Sequence, residues 1–174
     1  MKDNIVLIGF MGCGKTTIGM KLAHAIDYDF MDTDQYIETQ SGKSIKDIFS
    51  SEGEEAFRTL ETNSLIELNN SLHNCIVATG GGMPLREENA ALLREIGMVV
   101  LLKASKEVTY ARLKEDTTRP LLAGENPMQK IEELMNQRMP LYEKVADIVV
   151  STDNRSFYSI VNEILNYYKV RYKL

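Results

Sequence analysis

The chain has 174 residues, the length of one ordinary domain, and 44% of them are hydrophobic, which suffices for a sizeable core. Its 20 basic and 25 acidic side chains give a net charge of −5 and form no basic block, which disfavours non-specific nucleic-acid binding. Cys13 and Cys75 lack the spacing of a zinc or redox motif, and no apolar run approaches the length of a membrane span, so we expect a protein of the reducing cytosol.

A short strand followed by a glycine-rich loop begins the chain. Residues 4–8 are apolar and rich in β-branched side chains, which predicts a buried strand. Residues 9–16 then match the pattern G-x-x-x-x-G-K-[ST], and the apolar residues of 17–26 have helical spacing. This strand–loop–helix order is the context that a phosphate-binding loop requires. The alternative, a glycine-rich turn without a ligand, is disfavoured by that context.

Strand-like and helix-like segments alternate along the rest of the chain. The predicted segments are, in order, strand 28–32, helix 33–40 with Thr33 as its cap, helix 44–70 with a break at Gly53, strand 75–78, helix 85–95, strand 98–102, helix 106–114, an irregular stretch 116–127, helix 129–142, strand 148–150 and helix 157–168. Such an α/β alternation, with strands that read as buried and show no alternation of polar and apolar residues, predicts a parallel sheet covered on both faces. Ligands of such sheets bind beyond the carboxyl ends of the strands.

The glycine-rich loop carries the residue types that hold a nucleoside triphosphate. Its glycines allow backbone N–H groups to turn towards phosphate oxygens, and the helix N-terminus adds positive potential. Lys15 would reach the β- and γ-phosphates, and the Thr16 hydroxyl would bind Mg²⁺.

Two aspartates follow the second predicted strand. The Mg²⁺ of a phosphate-loop enzyme needs a carboxylate near Thr16, and the third strand ends without an acid, so Asp32 is the best candidate. Asp34 is close enough to share the site but free to face a second substrate. The alternative is that one or both cap the next helix at its positive end.

The remaining polar motifs are less specific when each is taken alone. The run 80–82 after the third strand suits a backbone that exposes N–H groups to a ligand, or a flexible strand exit. Arg58 and Glu61 share a helix face, as a surface ion pair would, and Arg138 is an ordinary helical arginine. Arg119 lies in the long irregular segment, where a mobile cover could bring positive charge to a transferring phosphoryl group.

Taken together, these motifs closely resemble the shikimate kinase family. The resemblance extends over nearly the whole chain, and its motifs occur in the family's order. They are residues 9–19, 32–34, 57–61, 78–82, 119–122 and 138–142. The phosphate loop alone is widely shared, and the later motifs provide the specificity.

The resemblance implies a fold, an activity and a domain organisation. The fold is that of nucleoside monophosphate kinases, a three-layer phosphate-loop NTPase fold with a five-stranded parallel sheet in the order 2-3-1-4-5. The activity is transfer of the γ-phosphoryl group of ATP to the 3-hydroxyl of shikimate, a step towards chorismate and the aromatic amino acids. We expect one domain over residues 1–174, with substrate-binding helices at about 33–61 and a mobile lid at about 112–126.

The resemblance also assigns roles to individual residues. Asp34, Lys15 and Arg119 would be catalytic, with Asp34 as base or orienting group and Glu61 as the partner that orients Arg58. Shikimate would contact Asp34, Arg58, Gly81, Gly82 and Arg138, with both arginines on its carboxylate. Mg²⁺ would be held by Thr16 and Asp32. The nucleotide would be bound by Gly12, Cys13, Gly14, Lys15, Thr16, Thr17, Arg112, Arg119 and Arg155.

Three alternatives remain open at this point. The first is another small-molecule kinase of this fold, acting on gluconate or a nucleotide. The second is a GTPase-like switch, although no Asn-Lys-x-Asp motif occurs in the chain. The third is an inactive relative, although Lys15, Asp34 and the arginines are all present. We expect a monomer whose partners are ATP and shikimate, and neither nucleic acid nor membrane.

Overall fold

Five parallel strands form the centre of the molecule. The computed structural model describes residues 3–114 and 126–172. The strands lie in the order β2-β3-β1-β4-β5, which confirms the predicted parallel sheet and its order. Their bounds are Asn4–Ile8 for β1, Asp29–Asp32 for β2, Cys75–Ala78 for β3, Gly97–Lys103 for β4 and Ile148–Ser151 for β5.

Helices connect the strands. Their bounds are Lys15–Ile26 for α1, Thr33–Ser41 for α2, Ile45–Ser51 for α3, Glu54–Ser71 for α4, Glu87–Ile96 for α5, Lys106–Leu113 for α6, Pro127–Val145 for α7 and Phe157–Tyr172 for α8. The predicted break at Gly53 is confirmed, since this residue caps α4 with φ 86°. The segment predicted as one helix from Leu85 begins instead with a short 3₁₀ helix, Met83–Leu85.

The sheet separates two apolar layers, and β1 contributes to both. Its residues alternate, so that Val6 and Ile8 join one cluster while Ile5 and Leu7 join the other. All four are completely buried. A strand covered on both faces has no polar side, which explains why residues 5–8 are a continuous apolar run. Asn4, also buried, has its side-chain amide hydrogen-bonded to the backbone of Leu72, Ile96 and Cys75.

Strand register brings three chain segments to one edge of the sheet. Leu7 of β1 pairs with Ala78 of β3, and Ala78 pairs in turn with Asp32 of β2. The phosphate loop, the start of α2 and the glycine run after β3 therefore leave the sheet side by side. This is the edge at which parallel sheets bind their ligands.

The predicted lid at about 112–126 lies mostly outside the described residues. Residues 112 and 113 end α6, and residue 114 follows it. The described residues resume at 126, just before α7, so Arg119 is among the residues that the structure does not describe. Within 3–114 and 126–172, no helix combines the length and the apolar character that crossing a membrane requires.

Candidate active site at the carboxyl edge of the sheet

The phosphate loop is folded into a tight turn ahead of α1. Gly12 and Gly14 have φ of 75° and 100°, a left-handed conformation that side chains other than glycine rarely adopt. The Lys15 ammonium group donates hydrogen bonds to the carbonyl oxygens of Gly9 at 2.9 Å and Phe10 at 3.1 Å. The cation therefore lies over the loop, where the phosphates of a nucleotide would be held.

The end of α6 packs directly against this loop. Arg112 donates from Nη1 to the carbonyl oxygen of Gly12 at 2.9 Å. A Cβ built on Gly12 would lie 3.1 Å from the nearest carbon of Leu113, so the leucine side chain covers the glycine closely. The predicted nucleotide residue Arg112 is thus beside the loop, and Leu113 is a neighbour that the sequence did not indicate.

Asp32 connects the phosphate loop to α2 through its two carboxylate oxygens. Oδ2 accepts a hydrogen bond from the Thr16 hydroxyl at 3.1 Å. Oδ1 accepts from the backbone amides of Asp34 at 3.0 Å and Gln35 at 3.4 Å, which makes Asp32 the N-cap of α2. The prediction that Thr33 caps this helix was wrong, because Thr33 is the first helical residue and its hydroxyl accepts from the Gly80 amide at 3.0 Å.

Asp34 and Glu61 approach the same glycine from two helices. A Cβ built on Gly80 would lie 2.5 Å from Oδ1 of Asp34 and 3.3 Å from Oε1 of Glu61. Only a glycine leaves room for both carboxylates at this position. The glycine run therefore serves close approach of side chains, in addition to the exposure of amides that the sequence predicted.

Arg58 and Glu61 form a partly buried ion pair on α4. Nη1 of Arg58 lies 2.7 Å from Oε2 of Glu61, and Nη2 lies 3.0 Å from Oε1 of Glu54. Burial raises the pKa of Glu61, although the hydrogen bond and charge of Arg58 lower it. Burial alone lowers the pKa of Arg58, but the hydrogen bonds and charges of Glu61 and Glu54 outweigh it and raise the pKa overall.

Gly82 and Arg58 are in close contact on the same side of the cavity. A Cβ on Gly82 would overlap the Arg58 guanidinium group. Two anionic partners and this close packing hold the guanidinium in one place. An Arg held in this way is suited to bind a carboxylate through two parallel hydrogen bonds.

Arg138 lies on α7 and lines the same cavity as Arg58. Its guanidinium carbon is 5.9 Å from the centre of the Phe10 ring, a cation–π contact. Tyr142, one turn further along α7, donates from its hydroxyl to the carbonyl oxygen of Gly81 at 2.6 Å. Burial raises the pKa of the Tyr142 phenol to about 12, although the charge of Arg138 lowers it.

One cavity of about 660 Å³ contains nearly all of these groups. It brings together the predicted site residues that the structure describes, which are Gly12, Cys13, Gly14, Lys15, Thr16, Thr17, Asp32, Asp34, Arg58, Gly81, Gly82, Arg112, Arg138 and Arg155. Arg155 also lines the cavity, but its Nη1 is paired with Glu163 at 2.5 Å. Phe157, beside it and 47% exposed, was not indicated by the sequence.

Several contacts in the site escaped the sequence analysis. Glu54 was detectable, since it precedes Arg58 by four residues on one helix face. The contacts of Phe10 with Arg138 and of Tyr142 with Gly81 join residues far apart in the chain, and no local pattern signals them.

Thr16 and Asp32 are the residues suited to hold a metal ion. Among residues 3–114 and 126–172, no three His, Cys, Asp or Glu side chains converge on a point where an ion would be held by protein alone. The hydroxyl and carboxylate oxygens of Thr16 and Asp32 lie 3.1 Å apart beside the phosphate loop. Mg²⁺ commonly takes one or two protein oxygens and completes its octahedron with phosphate and water, and this pair fits that pattern.

Comparison with known proteins agrees with this geometry. A family model described as "Shikimate kinase" matches residues 11–169. The shikimate kinase of Thioalkalivibrio sulfidiphilus is 46% identical over 171 residues, covering 98% of this chain and 90% of the relative. That of Thermodesulfovibrio yellowstonii is 44% identical over 166 residues, covering 95% of both chains.

Solved structures show the same fold. The structure of shikimate kinase from Acinetobacter baumannii in complex with shikimate has a TM-score of 0.89 and 40% identity, and the match covers 96% of this chain and 93% of that one. The shikimate kinase from Aquifex aeolicus has a TM-score of 0.81 and 36% identity, with 94% of each chain covered. From the family model, the relatives and the fold, the chain belongs to the shikimate kinase family.

Proposed function

We propose that the chain transfers the γ-phosphoryl group of ATP to the 3-hydroxyl of shikimate, giving shikimate 3-phosphate and ADP in the biosynthesis of chorismate and the aromatic amino acids. The observation that carries this proposal is the shared cavity, in which a phosphate loop faces Asp34, Arg58 and Arg138. Family membership and the shikimate complex of a relative support the choice of acceptor.

The donor half of the site consists of the phosphate loop and its neighbours. The backbone amides of residues 12–17 and the Lys15 ammonium would bind the phosphates, while Arg112 and Arg155 would lie towards the base. Lys15 would exchange its two carbonyl partners for phosphate oxygens, which bear a full negative charge and bind a cation more strongly. Arg119 remains a prediction from the sequence, as does a lid over the phosphates.

The acceptor half binds a hydroxylated carboxylic acid. Arg58 and Arg138 would hold the carboxylate from two sides, and the amides of Gly81 and Gly82 would complete the contacts. Asp34 would receive or orient the proton of the 3-hydroxyl. Two arginines and an aspartate around one small acceptor argue against a nucleotide kinase, but they would also suit gluconate. The choice of shikimate over gluconate rests on the full set of motifs and on family membership.

Thr16 and Asp32 would hold Mg²⁺, with Asp32 acting through water. When bound, the ion supplies positive charge that offsets the phosphate charge and orients the reacting group. Phosphoryl transfer depends mainly on positioning and on such charge stabilisation. The hydroxyl oxygen forms the new bond to the γ-phosphorus, and the bond between that phosphorus and ADP breaks. The hydroxyl proton passes to Asp34 or, where Asp34 only orients the hydroxyl, to water.

The test is ATP consumption with shikimate, gluconate and nucleoside monophosphates offered separately. We expect ADP release only with shikimate, and equal rates with every acceptor or with none would overturn the proposal. Asp34→Asn should reduce kcat by about a hundredfold or more while nucleotide binding is retained. Near-normal turnover of this variant would remove Asp34 from the reaction.

We further propose that the enzyme acts as a cytoplasmic monomer of one domain. The donor and acceptor halves both lie in the cavity of one chain, so no second subunit is needed to complete the site. Sedimentation of the purified enzyme at assay concentration tests this, and a stable dimer would contradict it.

A further inference from the structure

Tyr142 is a buried polar group that the reaction described above does not use. It lies on α7 and is completely buried. Its hydroxyl donates to the Gly81 carbonyl oxygen at 2.6 Å, and burial raises the pKa of the phenol to about 12. A buried hydroxyl needs a hydrogen-bond partner, but the core of a protein does not require that partner to be a substrate-binding loop.

The hydrogen bond fixes the orientation of one peptide group. The Gly81 carbonyl and the Gly82 N–H belong to the same planar unit, and no cis bond occurs in the described chain. In a trans peptide these two groups point in opposite directions, so holding the carbonyl on Tyr142 directs the Gly82 N–H away from it. Glycine has many backbone conformations available, and three in succession would otherwise allow this peptide to turn.

The same peptide lies between the other groups of the site. The α-carbon of Gly82 is packed against the Arg58 guanidinium. A Cβ on Gly81 would lie 3.7 Å from the Gly9 carbonyl oxygen and 3.8 Å from the Met11 amide, so Gly81 adjoins the phosphate loop. Rotation of the peptide would therefore disturb contacts of the acceptor half of the site.

We propose that Tyr142 is a positioning residue for acceptor binding, which holds the Gly81–Gly82 peptide in one orientation. Because Tyr142 and Arg138 share a turn of α7, Tyr142 also fixes the position of this peptide relative to Arg138. The inference rests on the proposed function, because it assigns the oriented amide to a hydroxyl group of the acceptor. Arg138 and Tyr142 lie four residues apart on one helix face, so Tyr142 ties the glycine run to the helix that carries Arg138.

Tyr142→Phe tests the inference, because it removes the hydroxyl and retains the ring. We measure kcat, the KM values for shikimate and ATP, and shikimate binding by calorimetry without nucleotide. The variant loses the hydrogen bond to Gly81 and the hydrogen bond between the hydroxyl and the Arg138 side chain. Loss of contacts that order the binding site corresponds to about a three- to tenfold rise in the KM and Kd for shikimate. The KM for ATP should stay within about twofold, since the phosphate loop keeps its own hydrogen bonds.

Tyr168→Phe is the matched control. Tyr168 is also a buried tyrosine, in the other apolar layer of the molecule. Its hydroxyl donates to the backbone carbonyl of Asp3 at 3.1 Å and lies 2.9 Å from the Tyr28 hydroxyl. A purely structural role for Tyr142 predicts that the two variants lose stability without a selective change in shikimate binding. A selective change only in Tyr142→Phe supports the inference.

Two outcomes would overturn it, and they are distinguishable. In the first, the wild-type enzyme phosphorylates shikimate, but Tyr142→Phe either binds shikimate normally or loses affinity for ATP as much as for shikimate. The inference then fails while the proposed function stands. If the wild-type enzyme does not act on shikimate, the proposed function fails and the inference fails with it.

Discussion

Gly80→Ala should disable the acceptor half of the site by displacing one carboxylate. The added Cβ would lie 2.5 Å from Oδ1 of Asp34 and 3.3 Å from Oε1 of Glu61. The Asp34 oxygen has to withdraw by about half an ångström or more to reach an acceptable contact, and a 1 Å displacement in an active site can cost about a hundredfold in rate. We therefore expect kcat to fall about ten- to a hundredfold.

The effect on stability and on ATP should be small by comparison. Overpacking of a buried site lowers the free energy of unfolding by about 1–3 kcal/mol. Replacement of glycine by alanine raises it by about 0.4–1 kcal/mol, because the unfolded chain then has fewer conformations. Nucleotide affinity should be unchanged, because the three atoms nearest to the added methyl group belong to Asp34 and Glu61 and not to the phosphate loop. ADP release gives kcat, calorimetry gives nucleotide affinity, and urea unfolding gives stability.

Gly81→Ala is the control for the added methyl group itself. Its Cβ would meet no atom closer than 3.7 Å, so Asp34 should stay in place and any loss should appear in the KM for shikimate. If Gly80→Ala turns over within about twofold of the wild-type rate, then Asp34 tolerates the displacement, and the argument that its position limits the reaction is refuted.

Two further predictions concern Asp32 and Tyr142. Asp32→Asn keeps a capping oxygen for α2 and loses the charge, so the Mg²⁺ concentration for half-maximal rate should rise about tenfold with little change in stability. Asp32→Ala should also lose about 1 kcal/mol of stability, and an unchanged Mg²⁺ requirement in both variants would contradict this role. Burial raises the pKa of Tyr142 to about 12. The unfolded chain then loses this proton first, and wild-type stability should fall relative to Tyr142→Phe by about 1.4 kcal/mol between about pH 9 and pH 11, measured by urea unfolding. A constant difference between the two proteins would refute the assignment.

The strands could be predicted because burial on both faces leaves an unambiguous pattern. β3 was predicted with its observed bounds, Cys75–Ala78, and β1 likewise. The phosphate loop was predictable because left-handed positions at Gly12 and Gly14 need glycine, and the strand before them is completely buried and apolar apart from Asn4. Both signals are local in the sequence.

The cap of α2 shows where local signals fail. Asp32 and Thr33 are adjacent, and both residue types are good N-caps. Asp32 is the N-cap because the Thr33 hydroxyl accepts a hydrogen bond from the backbone amide of Gly80, which is 47 positions away in the chain. No pattern near Thr33 reports that contact, so the sequence could not decide between the two residues.

The site residues were predictable as a set, but their partners were not. The motifs indicated Arg58 and Arg138, whereas the Phe10 ring beside Arg138 is visible only in the fold. Arginines on helices are usually solvated, and it is the burial of Glu61 that distinguishes Arg58 from a surface ion pair.

The first turn of α2 joins the donor and acceptor halves of the site. Asp32 accepts from Thr16 of the phosphate loop, Thr33 accepts from the Gly80 amide, and Asp34 lies against Gly80. Three consecutive residues therefore set the distance between the nucleotide site, the glycine run and the candidate base. Helical backbone is stiff over one turn, so this distance cannot vary without breaking the cap of α2. Since phosphoryl transfer depends on how the two substrates are placed, residues 32–34 at the junction of β2 and α2 hold the geometry that the proposed reaction needs.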